Sequence, residues 1–513
     1  MSAYVVAIFL SSFLVFLVQP LIGKYILPWF GGSPGVWTTC LLFFQLMLVA
    51  GYNYAHVITT RLQRSQQVIV HLMVLGISLL FLPMIPSGEW RSIAEDNPAM
   101  TILWLLTVTV GPQYLLLAAS APLLQSWFSM SFPDRSPYRL YAVSNVASLG
   151  ALLSYPLLWE RVFYLRQQCW FWSLLYLVFA LSIGICGFVA RKQWKDGCTA
   201  QGIAGAACPP ACHSSVESTY LQKNASNVTS GIDRVLWLVL SACGTIMLMA
   251  TTNQMTQDIV PVPFLWILPL SLYLLTFIIC FERPEWYSRN IYIWLFIVSL
   301  FLLAIRVIVH MPLQIHWQIA AYSLNLFAAC MCCHGEIVAR RPDPKELTHF
   351  YLYIAAGGAL GGCIVALAAP MLFNDFHEYP LGNVAIIIVL LVCGRIAEIT
   401  RLIQHQSKKR IMVISLAAVV GLAGVMASVS SVSSYLKNRS GSSLATARNF
   451  YGVIKVNKYD TDQPIKTRIS MSHGTTIHGF QFTDENKTRT PTSYYVYESG
   501  VGVSFPKGRS PNC

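Results

Sequence analysis

Long apolar runs alternate with short polar segments along most of the chain. Thirteen runs approach or exceed the roughly 20 residues that cross a bilayer as a helix. They lie near 4–26, 36–58, 68–85, 99–128, 139–159, 168–190, 233–252, 259–281, 290–309, 316–334, 349–371, 382–400 and 411–431. The run 382–400 has the shortest apolar core, so a re-entrant or buried helix is the alternative to a membrane span there. The pattern predicts an all-α polytopic membrane bundle of 12 or 13 spans.

Composition narrows the class of protein. The 513 residues are 55% hydrophobic and only 11% charged, and the mean hydropathy is +0.54. These values are typical of a multi-pass membrane protein in contact with the lipid bilayer. The net charge of +13 does not indicate nucleic acid as a partner, because many basic residues lie between apolar runs, where they orient helices.

The distribution of lysine and arginine predicts the orientation. Loops after the even-numbered spans carry 19 of these residues, whereas the alternate loops carry 5. Because cytoplasmic loops are enriched in Lys and Arg, we expect the even loops and the N-terminus to be cytoplasmic. With thirteen spans the tail lies outside. With twelve it lies inside, and five basic residues between 395 and 410 are then stranded outside, which favours thirteen.

The two halves carry related sequences. Residues 139–150 resemble residues 350–361, and both stretches follow a short basic loop. Small residues four positions apart allow helix backbones to approach closely, and packing alone is the simpler interpretation of them. They are Ser144, Ser148, Gly357, Gly358, Gly361 and Gly362. The repeat predicts six plus six spans resembling the major facilitator transporters, with a site between the halves near the membrane midplane.

The repeat and the polar intervals divide the chain into four parts. A first six-helix membrane half covers residues 1–190, and a cytoplasmic linker loop covers 191–232. A second membrane half covers 233–431. A small β-rich C-terminal segment covers 432–513, where short strand-like segments at 451–456, 467–471 and 476–482 alternate with polar turns.

Two polar interruptions occupy comparable places in the two halves. The first, residues 19–37, ends an apolar helix with a glutamine, a lysine, three prolines and four glycines before Trp37. The second, residues 253–266, is polar at first, then contains two prolines, and also ends in a tryptophan. Each backbone group freed by such a break needs a partner in protein or water, so a break predicts a cavity. Paired breaks indicate a transporter-like binding site.

Polar side chains in and near these interruptions are the candidate solute-binding residues. They are Gln19, Lys24, Asn145, Asn253, Gln254 and Asp258. Charges within spans are costly and functional by default, so Lys24 and Asp258 are candidates for an ion pair or a proton-coupled site. Their position near helix ends leaves snorkelling to the interface as the alternative. For the amides, the alternative is hydrogen bonding between neighbouring helices.

Cysteine and histidine cluster at residues 330–334 and 198–213. Thiolate and imidazole are ligands for soft metals, but neither cluster has the paired spacing of a zinc site. Cysteine is also a common small buried residue. We therefore expect no metal and no other cofactor.

Motifs spread along nearly the whole chain resemble a family of bacterial membrane proteins described as fused major-facilitator and spermidine-synthase proteins. The motifs are residues 19–37, 258–277, Cys333-His334-Gly335-Glu336, Arg341-Pro342, Asn449-Phe450-Tyr451-Gly452, His473-Gly474-Thr475-Thr476, His478-Gly479, Gln481 and Pro491-Thr492-Ser493-Tyr494-Tyr495. The resemblance implies a bacterial inner membrane location. It also implies that Gln481 and Tyr495 fall near a substrate entrance in a complete protein.

In that family a similar β-rich segment precedes a Rossmann-like domain, which resembles aminopropyltransferases and holds decarboxylated S-adenosylmethionine and a polyamine. This chain has no glycine-rich strand-to-helix turn for such a cofactor. The tail therefore resembles a truncated synthase segment, and we do not expect this chain alone to be an enzyme. The first hypothesis is a multi-pass protein that binds or transports a small polar or cationic solute, with polyamines included. The alternative is a membrane anchor or scaffold for a separately encoded aminopropyltransferase-like domain.

Overall fold

The computed structural model describes residues 2–91, 97–132, 138–200, 230–258, 264–309, 314–342, 347–402, 443–460, 463–474, 476–496 and 499. These residues form a helical bundle and a small β-sheet, as the sequence predicts. The helices are α1 (Ser2–Phe30), α2 (Pro34–Arg61), α3 (Arg64–Ser78), α4 (Pro98–Thr109), α5 (Gly111–Ser131), α6 (Tyr138–Ser154), α7 (Glu160–Val162), α8 (Leu165–Ala200), α9 (Gly231–Asp258), α10 (Phe264–Glu282), α11 (Arg289–Val309), α12 (Ile315–Ala339), α13 (Leu347–Cys363), α14 (Ala369–Leu372) and α15 (Glu378–Leu402).

Within the described part of the chain, eight helices are long and apolar enough to cross a membrane, and a bent pair makes a ninth. The pair is α4 and α5, which meet at an angle of 69°. Gly111 and Pro112 follow the break, where proline removes a backbone donor and its ring clashes with the preceding turn. The chain is therefore an integral membrane protein, and the predicted run 99–128 corresponds to this bent pair.

The repeat predicted from the sequence has a structural counterpart. A π-helical turn interrupts the fifth span at Tyr155–Trp159 and the eleventh at Ile364–Ala368. In the first half α1 packs against α5, α6 and α8, and in the second half α9 packs against α12, α13 and α15. The two halves meet along α2 with α13 and along α6 with α10.

The glycines of α13 serve two different helix contacts. A Cβ atom on Gly357 or Gly361 would collide with backbone carbonyl oxygens of α9. One on Gly358 would lie 2.8 Å from the side-chain oxygen of Gln45 in α2, and one on Gly362 would lie 3.4 Å from Leu42. The predicted close approach of helices therefore occurs on two faces, one inside the second half and one between the halves.

Replacing Gly361 with leucine is expected to destabilise the bundle by about 1–3 kcal/mol, because overpacking displaces α9. The matched control is Gly150→Leu at the corresponding position of the repeat, where an added Cβ meets nothing within 4 Å. Thermal unfolding in detergent measures both variants. Equal melting temperatures for the two would contradict the close packing of α13 on α9.

The predicted interruption at residues 19–37 is much shorter in the structure. Helix α1 continues through Pro20 and Pro28 to Phe30, so only Gly31, Gly32 and Ser33 separate it from α2. Backbone groups in a bilayer have no water to bond, so the helix persists despite the prolines. Gly31 takes φ +77°, a left-handed conformation that glycine adopts without steric cost.

Two further helices extend beyond their predicted limits. Helix α15 spans 25 residues around the weak run 382–400, a length of roughly 37 Å at 1.5 Å per residue. Helix α8 runs to Ala200, into the predicted linker. The rest of the linker, 201–229, and the predicted run 411–431 lie outside the described residues.

The described tail folds as a four-stranded antiparallel sheet in the order β1-β2-β3-β4. Its strands are β1 (Ser443–Asn449), β2 (Gly452–Tyr459), β3 (Arg468–His473) and β4 (Thr476–Phe482). The three predicted strands correspond to β2, β3 and β4, and β1 was not predicted. We call the end of the bundle on which this sheet packs the sheet end, and the opposite end the far end.

Candidate functional site

The two polar interruptions meet at the sheet end of the bundle. Trp37, at the end of the first, stacks on Trp266, at the end of the second, with ring centroids 5.2 Å apart and planes inclined by 12°. Both rings are almost fully buried, at 1% and 2% exposure. One tryptophan comes from each half, so this stack joins the halves where the sequence predicts the mouth of a cavity.

A hydrogen bond lies beside the stacked tryptophans. The Thr38 hydroxyl donates to Oδ1 of Asn253 over 2.8 Å, and both residues are buried. The indole Nε1 atoms of Trp37 and Trp266 have no hydrogen-bond partner within the described parts of the chain. We call these four residues the sheet-end contact. It contains polar groups of both halves.

Gln19 is buried within the first half. Its amide donates to the Tyr114 hydroxyl and to the Val15 carbonyl, each over 3.3 Å. Tyr114 lies on α5, so the glutamine links two helices of one half. Gln254 is half-buried on α9, one residue beyond Asn253.

Lys24 forms an ion pair that the sequence did not indicate. Its Nζ lies 2.5 Å from Oε1 of Glu160, and the two side chains are 29% and 28% exposed. Glu160 begins α7, immediately after the π-helical turn of the fifth span. Asp258 ends α9, and its side chain lies outside the described residues. Lys24 therefore has a carboxylate partner within its own half.

A second set of contacts joins the halves at the far end. Asn145 on α6 donates to Oε1 of Glu282 on α10 over 2.9 Å. The rings of His56 on α2 and His349 on α13 lie 4.8 Å apart. We call these four residues the far-end contact. The candidates Asn145 and Asn253 thus lie at opposite ends of the interface between the halves.

A buried carboxylate organises the far end of the second half. Glu336 on α12 accepts a hydrogen bond from the Tyr287 hydroxyl at 3.1 Å. It also pairs with Nε of Arg289 at 3.1 Å and with NH1 of Arg340 at 2.6 Å. The Glu336 side chain is only 4% exposed. The sequence showed Glu336 in a family motif but did not identify the two arginines as its partners.

The cysteines near this carboxylate pack as small apolar side chains. Cys330, Cys332 and Cys333 are fully buried, and His334 bonds through Nδ1 to the Thr276 hydroxyl at 3.0 Å. Among the described residues, no three His, Cys, Asp or Glu side chains converge as metal ligands.

The tail candidates lie on the sheet, away from the contacts between the halves. Gln481 on β4 donates its amide to the Thr488 carbonyl over 3.1 Å. Tyr495 is 58% exposed in a short turn, beside the exposed Tyr494. The structure therefore does not bring these two residues together with the candidates in the bundle.

The sequence reasoning missed several residues of the contacts. Glu160 and Glu282 lie at span ends, where acidic residues ordinarily face solvent, so their sequence context carries no signal. Trp37 and Trp266 could have been identified from the sequence, because each ends one of the two paired interruptions.

Comparison with known proteins gives structural likenesses at low identity. No family model matches the sequence, and no curated protein matches it. A crystal structure of the peptide transporter POT with sulfate aligns with a TM-score of 0.49 and 12% identity, covering 78% of this chain and 94% of that one. The nucleoside transporter NupG aligns with a TM-score of 0.46 and 11% identity, covering 79% and 100%. The resemblance to the spermidine-synthase fusions thus rests on the quoted motifs alone.

Proposed function

We propose that the bundle transports a small polar or cationic solute by exposing a site between its halves to one side of the membrane and then to the other. The observation that carries this proposal is the pair of separate contacts between the halves. The sheet-end contact and the far-end contact each consist of one hydrogen bond and one ring contact. A single hydrogen bond contributes about 0.5–1.5 kcal/mol net, and an aromatic pair contributes a similar amount beyond its burial, so one contact can open while the other holds.

The chemistry of the candidate residues favours a polar solute with a positive charge. Gln19, Asn253 and Gln254 offer amide groups on α1 and α9, the first helix of each half. Glu160 offers a carboxylate that Lys24 neutralises, and a cationic solute competes with Lys24 for it. Asp258 supplies a second acidic group at the end of α9. Polyamines belong to this class of solute, in line with the motifs shared with the synthase fusions.

We infer that the sheet end faces outward from a bacterial inner membrane. Helices α1 and α9 end at the sheet end, and the sequences that follow them, 31–33 and 259–263, contain no Lys or Arg, whereas the sequences that connect helices at the far end are basic. Helix α15 begins at Glu378, beside the sheet, and ends at Leu402, toward the far end. Strand β1 lies at the sheet end, where Arg448 binds Glu378. This arrangement supports a cytoplasmic N-terminus and an outer tail.

Uptake into vesicles tests the proposal. Native protein is expected to accumulate at least one of a panel of labelled polyamines and amino acids, and Glu160→Gln or Asp258→Ala, each of which removes a carboxylate, to reduce the rate by tenfold or more. Lys487→Ala, on an exposed turn of the tail, is the matched control and is expected to keep the native rate. Absence of uptake by the native protein for every solute would reject transport and favour the scaffold.

One observation favours the scaffold as a second candidate function. The sheet carries an open groove of about 540 Å³ lined by Tyr459, Arg468, Phe480 and Tyr494, among others. Tyr494 and Tyr495 beside it are 63% and 58% exposed. A separately encoded catalytic domain that docks on the sheet would cover this aromatic surface. A downstream reading frame encoding a strand followed by a glycine-rich turn would support this candidate, and its absence would count against it.

A further inference from the structure

The β-sheet contacts both halves of the bundle. On the first half, the carbonyl oxygen of Phe450 lies so close to Gly35 that a Cβ there would collide with it. The ring of Tyr451 lies 3.6 Å from the Cβ position of Gly31. Phe450 also packs against the main apolar core. The strand connection between β1 and β2 therefore rests on the short loop between α1 and α2 and on the first turn of α2.

The contact with the second half is electrostatic and partly buried. Arg448 binds both carboxylate oxygens of Glu378 over 2.8 Å and 3.0 Å, and both side chains are 3% exposed. The same guanidinium donates to the Asp375 carbonyl at 2.8 Å, and Lys455 pairs with the Asp375 carboxylate. A bidentate pair of this kind fixes orientation as well as distance. The sheet is thus held firmly at the start of α15.

These contacts surround the sheet-end contact between the halves. Gly35 lies two residues before Trp37, and Gln257 lies one helical turn beyond Asn253. Gly474, at φ +59°, lies so close to the Gln257 carbonyl that a Cβ on it would meet that oxygen at 2.5 Å. The sheet consequently lies over the place where Trp37 stacks on Trp266.

We propose that the sheet is a latch that holds the sheet end of the bundle closed and releases the first half when that end opens. This inference rests on the proposed transport function and adds its regulation. Among the described residues, ion pairs join the sheet to the second half and none joins it to the first. The sheet therefore travels with the second half, and the packing of Phe450 and Tyr451 on Gly35 and Gly31 is the part that separates.

Cysteine accessibility tests the latch in the full chain. The reporters are Thr38→Cys at the sheet end and His56→Cys at the far end, each labelled with a membrane-impermeant maleimide from the side it faces. The chain without an added cysteine gives the background, since the ten described native cysteines are buried or half-buried. Phe450→Ala with Tyr451→Ala is expected to raise the labelling rate at Thr38→Cys at least tenfold and to lower it at His56→Cys.

The control variant is Tyr494→Ala, an exposed aromatic of the same sheet, which is expected to leave both rates within twofold. Unchanged labelling at Thr38→Cys, in a variant whose sheet has become sensitive to protease, would overturn the latch. Solute uptake by the native chain decides the proposed function separately, because it does not depend on the result of this labelling.

A disulfide experiment keeps the inference testable if the alanine variant fails to fold. Joining Lys455→Cys to Asp375→Cys links the sheet to the half with which it travels, so labelling at Thr38→Cys is expected to stay within twofold. Joining Tyr451→Cys to Gly32→Cys, where an added side chain meets nothing within 4 Å, through a short reducible thiol linker joins the sheet to the first half, and labelling is expected to fall at least tenfold and to recover on reduction. The latch would be overturned if linking the sheet to the second half lowered labelling at Thr38→Cys and linking it to the first half did not.

Discussion

Arg448→Ala is expected to detach the sheet from the bundle, at a cost of about 3–5 kcal/mol in docking free energy. The arginine and Glu378 are each 3% exposed, so removing the guanidinium leaves a buried carboxylate without its bidentate partner. The variant also loses the contact of Arg448 over the Phe376 ring, 4.3 Å from its centroid. Limited proteolysis of the tail in detergent measures the change as a higher cleavage rate.

The control for this prediction is Arg468→Ala. Arg468 and Asp460 form an ion pair at 3.4 Å with side chains 42% and 47% exposed. Exposed pairs of this kind contribute about 0–1 kcal/mol, so proteolysis of the tail is expected to change little. The double variant Arg448→Met with Glu378→Met is expected to dock better than either single variant, because neither charge is left unpaired. Equal cleavage of Arg448→Ala and Arg468→Ala would contradict the docking described above.

Glu336→Ala is expected to lower the free energy of unfolding of the bundle by about 3–5 kcal/mol, because it leaves two arginines near the far end without their shared carboxylate. Arg289 and Arg340 both pair with it, and Tyr287 donates to it. Burial first, and then the Glu336 carboxylate, raise the pKa of Tyr287 above its usual value. The hydroxyl therefore stays protonated and loses its acceptor in the variant. Thermal unfolding in detergent measures the effect.

Glu285→Ala is the matched control for this experiment, since Glu285 is an exposed carboxylate in the connection that precedes Arg289. Exposed charges change stability by less than about 1 kcal/mol, so a melting temperature close to that of the native protein is expected. Glu336→Gln retains an acceptor for Tyr287 and is expected to lie between the two. If Glu336→Ala and Glu285→Ala had the same melting temperature, the buried network of Glu336 and its partners would have no structural role.

Hydrophobic periodicity predicted most of the fold because the bilayer imposes it. An apolar run near 20 residues has few alternatives to a helix in lipid, so the described helices fall where the runs predict them. The strands β3 and β4 follow from alternating apolar and polar residues between turn signals. The edge strand β1, with mostly exposed residues such as Ala445 and Ala447, carries no such alternation.

The interruption at residues 19–37 was overestimated for a physical reason. Proline and glycine break helices in water, where freed backbone groups find a partner, but α1 lies among other helices and more than half of its residues are buried. Keeping the remaining helical hydrogen bonds is then the lower free-energy state. The sequence therefore located the loop between α1 and α2 but not its length of three residues.

Long-range partners were beyond the reach of sequence patterns. Arg448 and Glu378 are 70 residues apart, and Lys24 and Glu160 are 136 apart. No periodicity connects such pairs, because their proximity depends on how complete helices pack. The stack of Trp37 on Trp266 was closer to prediction, since both residues end the paired interruptions. The sequence thus predicted that the two interruptions form a pair, whereas the long-range contacts of their neighbours were not predicted.

The two glycine faces of α13 give this helix a mechanical role. Gly357 and Gly361 seat it on α9, whereas Gly358 and Gly362 present a smooth surface to α2 of the other half. In the proposed motion, α13 stays packed against α9, and α2 of the other half moves past its second glycine face. Bulky residues at Gly357 or Gly361 should therefore impair folding of the bundle. Bulky residues at Gly358 or Gly362 should leave a folded protein whose halves no longer move relative to each other.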